Sequence, residues 1–150
     1  MLLSADMKTL IRLFEKHGVE YTLVGGHAVN YYGYVRMTQD MDLLVQPSVE
    51  NAGRVMEALG AFGFGGARIP GELFERDGGA VHLGVEPNRI DILTSLKGVT
   101  NEKIFQGSRA VMIDGVSVNV ISLEDLLEVK RSSDRARDLA DAEELAKINR

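Results

Sequence analysis

The sequence predicts an α+β fold that combines amphipathic helices with short strands. Three observations carry that prediction. Amphipathic helical segments open and close the 150-residue chain. Short β-favouring runs lie between them, set off by glycine, proline or helical stretches. One pair of runs is joined by Asp114-Gly115, a favoured two-residue hairpin turn. The length is that of one domain, residues 1–150, with a single core.

From Ser4 to His17, apolar residues recur at Met7, Leu10, Ile11 and Phe14, one face of a helix, and Gly18 stops it. Val19 to Val24 alternates as a strand does. Gly25-Gly26 breaks it, and a short helix is expected from Ala28 to Tyr34. The next strand is Asp40 to Val45. After Pro47, Ser48 is a plausible N-cap for a helix with apolar positions Val49, Ala52, Val55, Met56 and Leu59. Gly60 to Gly66 reads as a helix stop and a flexible rim. Its Phe62 and Phe64 either stack on a base or, the more economical reading, are buried under the sheet.

Val81 to Val85 and Arg89 to Leu93 read as strands around the turn Glu86-Pro87-Asn88, and Asn101 to Gln106 as a short helix. Arg109 to Val120 forms the hairpin. Ser122 caps a helix with Asp125 at its third position, where a carboxylate suits the helix dipole. A last helix runs from Arg135 to Asn149 with Leu139, Ala142, Leu145 and Ala146 as its inward stripe.

With 45% hydrophobic and 26% charged residues the composition is that of a soluble globular protein. No apolar run approaches the roughly 20 residues of a membrane span, and the first residues lead into an amphipathic segment rather than a signal peptide, so a cytoplasmic location with no membrane partner is expected. The absence of cysteine excludes disulfides, thiolate nucleophiles and zinc thiolate sites. A net charge of -5 disfavours a broad nucleic-acid footprint, although Lys130, Arg131, Arg135 and Arg137 bunch locally. Those four are either a patch for polyphosphate or RNA, or a solvated helix face with Asp134 and Asp138 interleaved.

The chemistry is concentrated between residues 24 and 45. On a strand, Asp40 and Asp42 project to one side with Cα atoms roughly 7 Å apart. Two carboxylates so placed repel, and an oxygen-only set suits a hard cation such as magnesium. The alternative is a pair of solvated charges at a strand mouth. Asp91 sits inside the apolar strand Arg89-Ile90-Asp91-Ile92-Leu93, where an unpaired carboxylate is costly. It calls for a metal, a donor or an arginine, with Arg89 or Arg36 as the ordinary partners. Strand, Gly25-Gly26 turn and helix start together form a shape that admits phosphate, though a tight turn explains most glycine pairs.

Gly25-Gly26, thirteen intervening residues, Asp40-x-Asp42, and Asp91 on an apolar strand together resemble the nucleotidyltransferases of the DNA polymerase β superfamily. Gly-Gly-His-Ala followed by Arg36-x-Thr38-x-Asp40-Met41-Asp42-Leu43 is closest to their small prokaryotic branch, the minimal nucleotidyltransferases and AbiEii-type toxins. Lys130 with Arg135-Ala136-Arg137-Asp138-Leu139-Ala140-Asp141 is similar to a C-terminal run of that branch. The resemblance spans about residues 19 to 141. It departs from the pattern at Gly26, where many members have serine, and offers no motif between Gly60 and Gly79, so the acceptor site is unassigned.

The resemblance implies a nucleotidyltransferase fold, a mixed twisted sheet with helices packed on one face and C-terminal helices beside it. It implies that Asp40, Asp42 and Asp91 are catalytic and hold magnesium, two ions, against a nucleoside triphosphate such as ATP. A nucleoside monophosphate would pass to a hydroxyl of an RNA or tRNA, a protein or a small molecule, releasing pyrophosphate. Gly25, Gly26, Arg36, Thr38 and Lys130 would bind the nucleotide. His27 is expected as a donor to a neighbour or to phosphate, not as a base, and Asp138 to be paired with Arg135 or Lys130. A role as the toxin of a toxin–antitoxin pair, with an antitoxin partner, belongs to the same implication. The alternative is a nucleotide-binding or regulatory module that has lost turnover.

Overall fold

The computed structural model describes residues 3–64, 69–85 and 88–150, the side chain of Phe64 excepted. Six strands form one sheet: β1 (Tyr21–Val24), β2 (Asp40–Val45), β3 (Ala80–Leu83), β4 (Arg89–Leu93), β5 (Arg109–Ile113) and β6 (Val116–Val120). Their order is β3-β4-β2-β1-β6-β5. The β1–β2, β3–β4 and β5–β6 pairs are antiparallel, whereas β2–β4 and β1–β6 are parallel, so the sheet is mixed.

The expected helices are present as α1 (Ala5–Lys16), α3 (Val49–Leu59), α4 (Asn101–Gly107), α5 (Leu123–Arg131) and α6 (Ala136–Ile148). Hydroxyl caps set several starts: Ser4 accepts from the Met7 N–H, Ser48 from Asn51 and Ser122 from Asp125. Gly18, at φ 68°, closes α1. At the hairpin turn Asp114 and Gly115 both have positive φ, 49° and 80°, as a two-residue turn of this type requires.

β1 begins two residues later than expected and β3 ends two residues earlier, and two boundaries differ in kind. α2 (Gly25–Tyr31) begins directly on the glycines instead of after them. Beyond α3, Gly60–Phe64 prolongs the helix as a wider turn kinked at Gly63, φ 117°. Phe62 packs partly buried against the core and is not part of the cleft described below. Residues 65 and 66 of the expected flexible rim, Glu86 and Pro87 of the expected turn, and the side chain of Phe64 lie outside the described residues.

Strand register assigns the two faces of the sheet. Tyr21, Leu23, Met41, Leu43 and Val45 share one face, since Tyr21 pairs with Val45 and Leu23 with Leu43. All five are buried, and Tyr21 stacks edge-on with Phe14 of α1 at 5.5 Å. Val24, Asp42, Asp91 and His82 share the other face, because Val24 pairs with Asp42, Asp42 with Asp91, and Asp91 with His82.

Residues 71–79, which carry no sequence motif, are fixed by the end of β4. Phe74 is buried, and the Thr94 hydroxyl donates to the Arg76 carbonyl at 2.8 Å while accepting from the Gly79 N–H at 2.7 Å. Leu139, expected in the inward stripe of α6, is instead exposed, and Asp141 is buried with Ala142 and Leu145. The helix is rotated so that Asp141 meets two cations, a stronger preference than burying one more leucine.

Candidate active site

The polar face of β2, β3 and β4 forms the floor of a cleft of ≈ 950 Å³. The start of α2, residues 36–39, α5 and residues 133–138 provide its walls. Parallel pairing of β2 with β4 brings Asp42 directly opposite Asp91 and Asp40 opposite Arg89. A separation of 49 residues in sequence thus becomes one strand spacing of roughly 5 Å.

The cation that this crowding demands is partly supplied from within. Arg89 Nη2 lies 3.0 Å from Asp40 Oδ2 and 3.1 Å from Asp91 Oδ2, bridging the two carboxylates. Arg89 Nε lies 3.1 Å from Asp91 Oδ1. His82, on the neighbouring strand, places Nδ1 2.6 Å from the same Oδ1. Of the two ordinary partners expected for Asp91, Arg89 is the one found; Arg36 goes elsewhere.

Asp42 has no such compensation. Burial, then the charge and hydrogen bonding of Asp91, and then the charge of Asp40 push its carboxyl up from 3.8 to about 7, with Lys130 the one nearby group opposing the rise. Asp40 Oδ1 is also buried, with no hydrogen-bond partner. Among the described residues no three histidine, aspartate or glutamate side chains already stand as a ready-made metal cage. Arg89 holds the position between two of the three carboxylates.

The glycine turn is explained by these same side chains. A Cβ on Gly25, which has φ 68°, would stand 2.0 Å from Asp42 Oδ2, and one on Gly26 would stand 2.4 Å from Thr38 Oγ1. Asp42 and Thr38 thus stand where a side chain at either position would lie, and both glycines line the cleft with bare backbone. Thr38 donates to the Asp40 carbonyl at 3.3 Å, which ties the wall to the strand that carries the carboxylates.

Lys130 and Arg36 both line the cleft, and both are already paired. Lys130 Nζ, buried, donates to Asp138 at 3.0 Å and to Asp141 at 3.1 Å. Arg36 grips Asp141 with two hydrogen bonds, 2.9 Å from Nε and 2.8 Å from Nη2. Burial would raise the Asp141 carboxyl, but hydrogen bonds from Arg36 and Lys130 outweigh it and hold the group below its ordinary range. Asp138 pairs with Lys130 and, at 3.6 Å, with Arg135, as expected. His27 is not the donor that was expected: it is buried, off the cleft, with neither ring nitrogen hydrogen-bonded, and burial lowers its pKa.

Sequence reasoning missed His82 and Asp141. His82 carried a usable signal, a histidine flanked by Val81 and Leu83 in a strand, but its partner depends on the β3–β4 register. Asp141 lay within the quoted C-terminal run, yet nothing local marks it as buried.

No family model and no curated protein matches the chain. Nine solved chains do, two of them as follows. An antigenic nucleotidyltransferase-like protein from Paracoccidioides brasiliensis superposes with a TM-score of 0.58 over 97% of this chain and 77% of its own, at 16% identity. A nucleotidyltransferase candidate from Thermotoga maritima gives 0.58 over 93% and 86%, at 14% identity. The chain has the nucleotidyltransferase fold. One neighbour is fungal and the other bacterial, so the likeness does not single out a prokaryotic branch. With the nucleotidyltransferase fold, the mixed sheet that the resemblance implies is in place, with six strands among the described residues.

Proposed function

We propose that the protein is a magnesium-dependent nucleotidyltransferase that moves a nucleoside monophosphate from a nucleoside triphosphate to a hydroxyl and releases pyrophosphate. The observation that carries this reading is the meeting of Asp40, Asp42 and Asp91 on one sheet face at the floor of a large cleft. The residues fit a hard divalent cation: all three offer oxygen, Asp40 Oδ1 is buried without a partner among the described residues, and burial together with the neighbouring Asp91 raises the Asp42 carboxyl.

Asp40, Asp42 and Asp91 would together hold the metal. When bound, magnesium neutralises phosphate charge and stabilises the attacking and leaving oxygens of an in-line displacement. The protein's own part is to fix those carboxylates in register, to exclude side chains from the turn at Gly25 and Gly26, and to set positive charge on the wall. Lys130 and Arg36 would act on the triphosphate as a fixed field while remaining tethered to Asp138 and Asp141. Thr38 would hold the Asp40 backbone in place. Asp91 is positioned to take the proton of the attacking hydroxyl once it is freed from Arg89.

The test is pyrophosphate release and mass change of acceptors after incubation with magnesium, each of the four triphosphates, and RNA, protein or small-molecule hydroxyls. Asp42→Ala is expected to abolish transfer while the protein remains folded by circular dichroism. Transfer at the wild-type rate in that variant rejects the catalytic assignment. A second reading, nucleotide binding without turnover, draws support from the hold of Arg89 and His82 on Asp91. It predicts calorimetric binding of triphosphate with no pyrophosphate released.

A further inference from the structure

Arg89 occupies an unusual place for a residue that lines a cleft. Its Nη2 is within 3.1 Å of oxygens from two different carboxylates, Asp40 Oδ2 and Asp91 Oδ2, and so fills the point from which a bridging cation would touch both. A guanidinium cannot leave by losing its proton at physiological pH, because its pKa lies above about 12. A magnesium ion touches its ligand oxygens at roughly 2.0–2.1 Å. Nitrogen and metal cannot share that point. The Arg89 side chain is 35% exposed and lines the cleft.

We propose that Arg89 is an internal counter-ion that a divalent cation must displace from Asp40 and Asp91, so that it sets the metal affinity of the site. The inference rests on the reading of the carboxylates as metal ligands. Without metal, Arg89 neutralises part of a cluster that would otherwise repel itself apart, which keeps the strands β2 and β4 in register. With metal, the same carboxylate oxygens turn to the ion and the guanidinium swings into the cleft. The wild-type site is accordingly held at weaker affinity than its three carboxylates would give alone, and loading becomes an exchange of one cation for another.

The experiment is titration of metal-free, full-length protein with manganese, followed by electron paramagnetic resonance of the free ion and by the rise in melting temperature. Wild type is compared with Arg89→Gln, Arg89→Lys and Asp42→Ala. Arg89→Gln is expected to bind manganese at least tenfold more tightly than wild type and to show the larger metal-induced rise, starting from a lower metal-free melting temperature. A folded Arg89→Gln with equal or weaker affinity overturns the proposal.

Should Arg89→Gln fail to fold without metal, Arg89→Lys carries the test. Its single ammonium bridges less well, so affinity at least threefold above wild type supports the exchange, and equal or lower affinity overturns it. If wild type binds manganese, Asp42→Ala does not, and neither Arg89 variant binds more tightly, the exchange alone fails. If wild type and Asp42→Ala both bind none, the metal reading fails and takes the exchange with it.

Discussion

Replacing Asp42 by asparagine should stabilise the metal-free protein, and should do so only above acidic pH. The carboxyl is pushed up to about 7 in the folded state, chiefly by burial and by Asp91, from an ordinary value of 3.8. A carboxyl raised by folding binds its proton more tightly in the native state, so stability falls as pH rises from 3.8 to about 7 and is then level. At about 1.36 kcal/mol per pKa unit the whole interval corresponds to ~4 kcal/mol, and screening by water in the cleft brings the expected figure to about 2–4 kcal/mol. Asparagine keeps the shape and removes the charge. In urea denaturation with chelator present, the two proteins should match near pH 4 and diverge by that amount at pH 8. For a chain of this size the gap amounts to roughly 4–16 °C in melting temperature. A gap that does not change with pH, or an asparagine variant that is the less stable at pH 8, would refute the account of the crowded carboxylates.

Two further substitutions probe the walls of the site. Asp141→Ala leaves Lys130 and Arg36 facing each other without their shared carboxylate, and should cost roughly 3–5 kcal/mol in chemical denaturation. Because the Asp141 carboxyl is held below its ordinary value, its contribution is complete above pH 3.8 and is lost as pH falls through the folded value, so the wild-type advantage should narrow in acid. Gly26→Ala places a methyl 2.4 Å from Thr38 Oγ1 and should destabilise by about 1–3 kcal/mol, with Thr38→Ala recovering only part of it in the double variant because the Cβ of residue 38 still stands 2.9 Å away. Additive losses would show that Thr38 does not set the limit at that position.

The elements themselves were legible because each is fixed locally. The period of Met7, Leu10, Ile11 and Phe14 predicts α1, and all four are buried. The Asp40–Val45 and Arg89–Leu93 strands and the Asp114-Gly115 hairpin fall where alternation and turn chemistry place them. The glycines were legible as a turn but not in their cause. What excludes a side chain there is Asp42, 17 residues beyond Gly25, and Thr38, 12 beyond Gly26. Leu139 and Asp141 exchanged places relative to the helical stripe because ion pairing across three elements overrode a hydrophobic period, and a period read within one helix carries no information on that.

By itself the sequence indicated the fold class and the candidate carboxylates Asp40, Asp42 and Asp91, since these follow from the pattern of elements, spacing and side-chain identity. Only the tertiary structure decided which carboxylates are compensated. The β2–β4 register sets Asp42 against Asp91 and Asp40 against Arg89, and the β3–β4 register adds His82. Electrostatic energy at these separations depends on the third dimension alone: a displacement of β4 by one residue would turn Arg89 and Asp91 together to the opposite face and leave Asp40 and Asp42 beside neither.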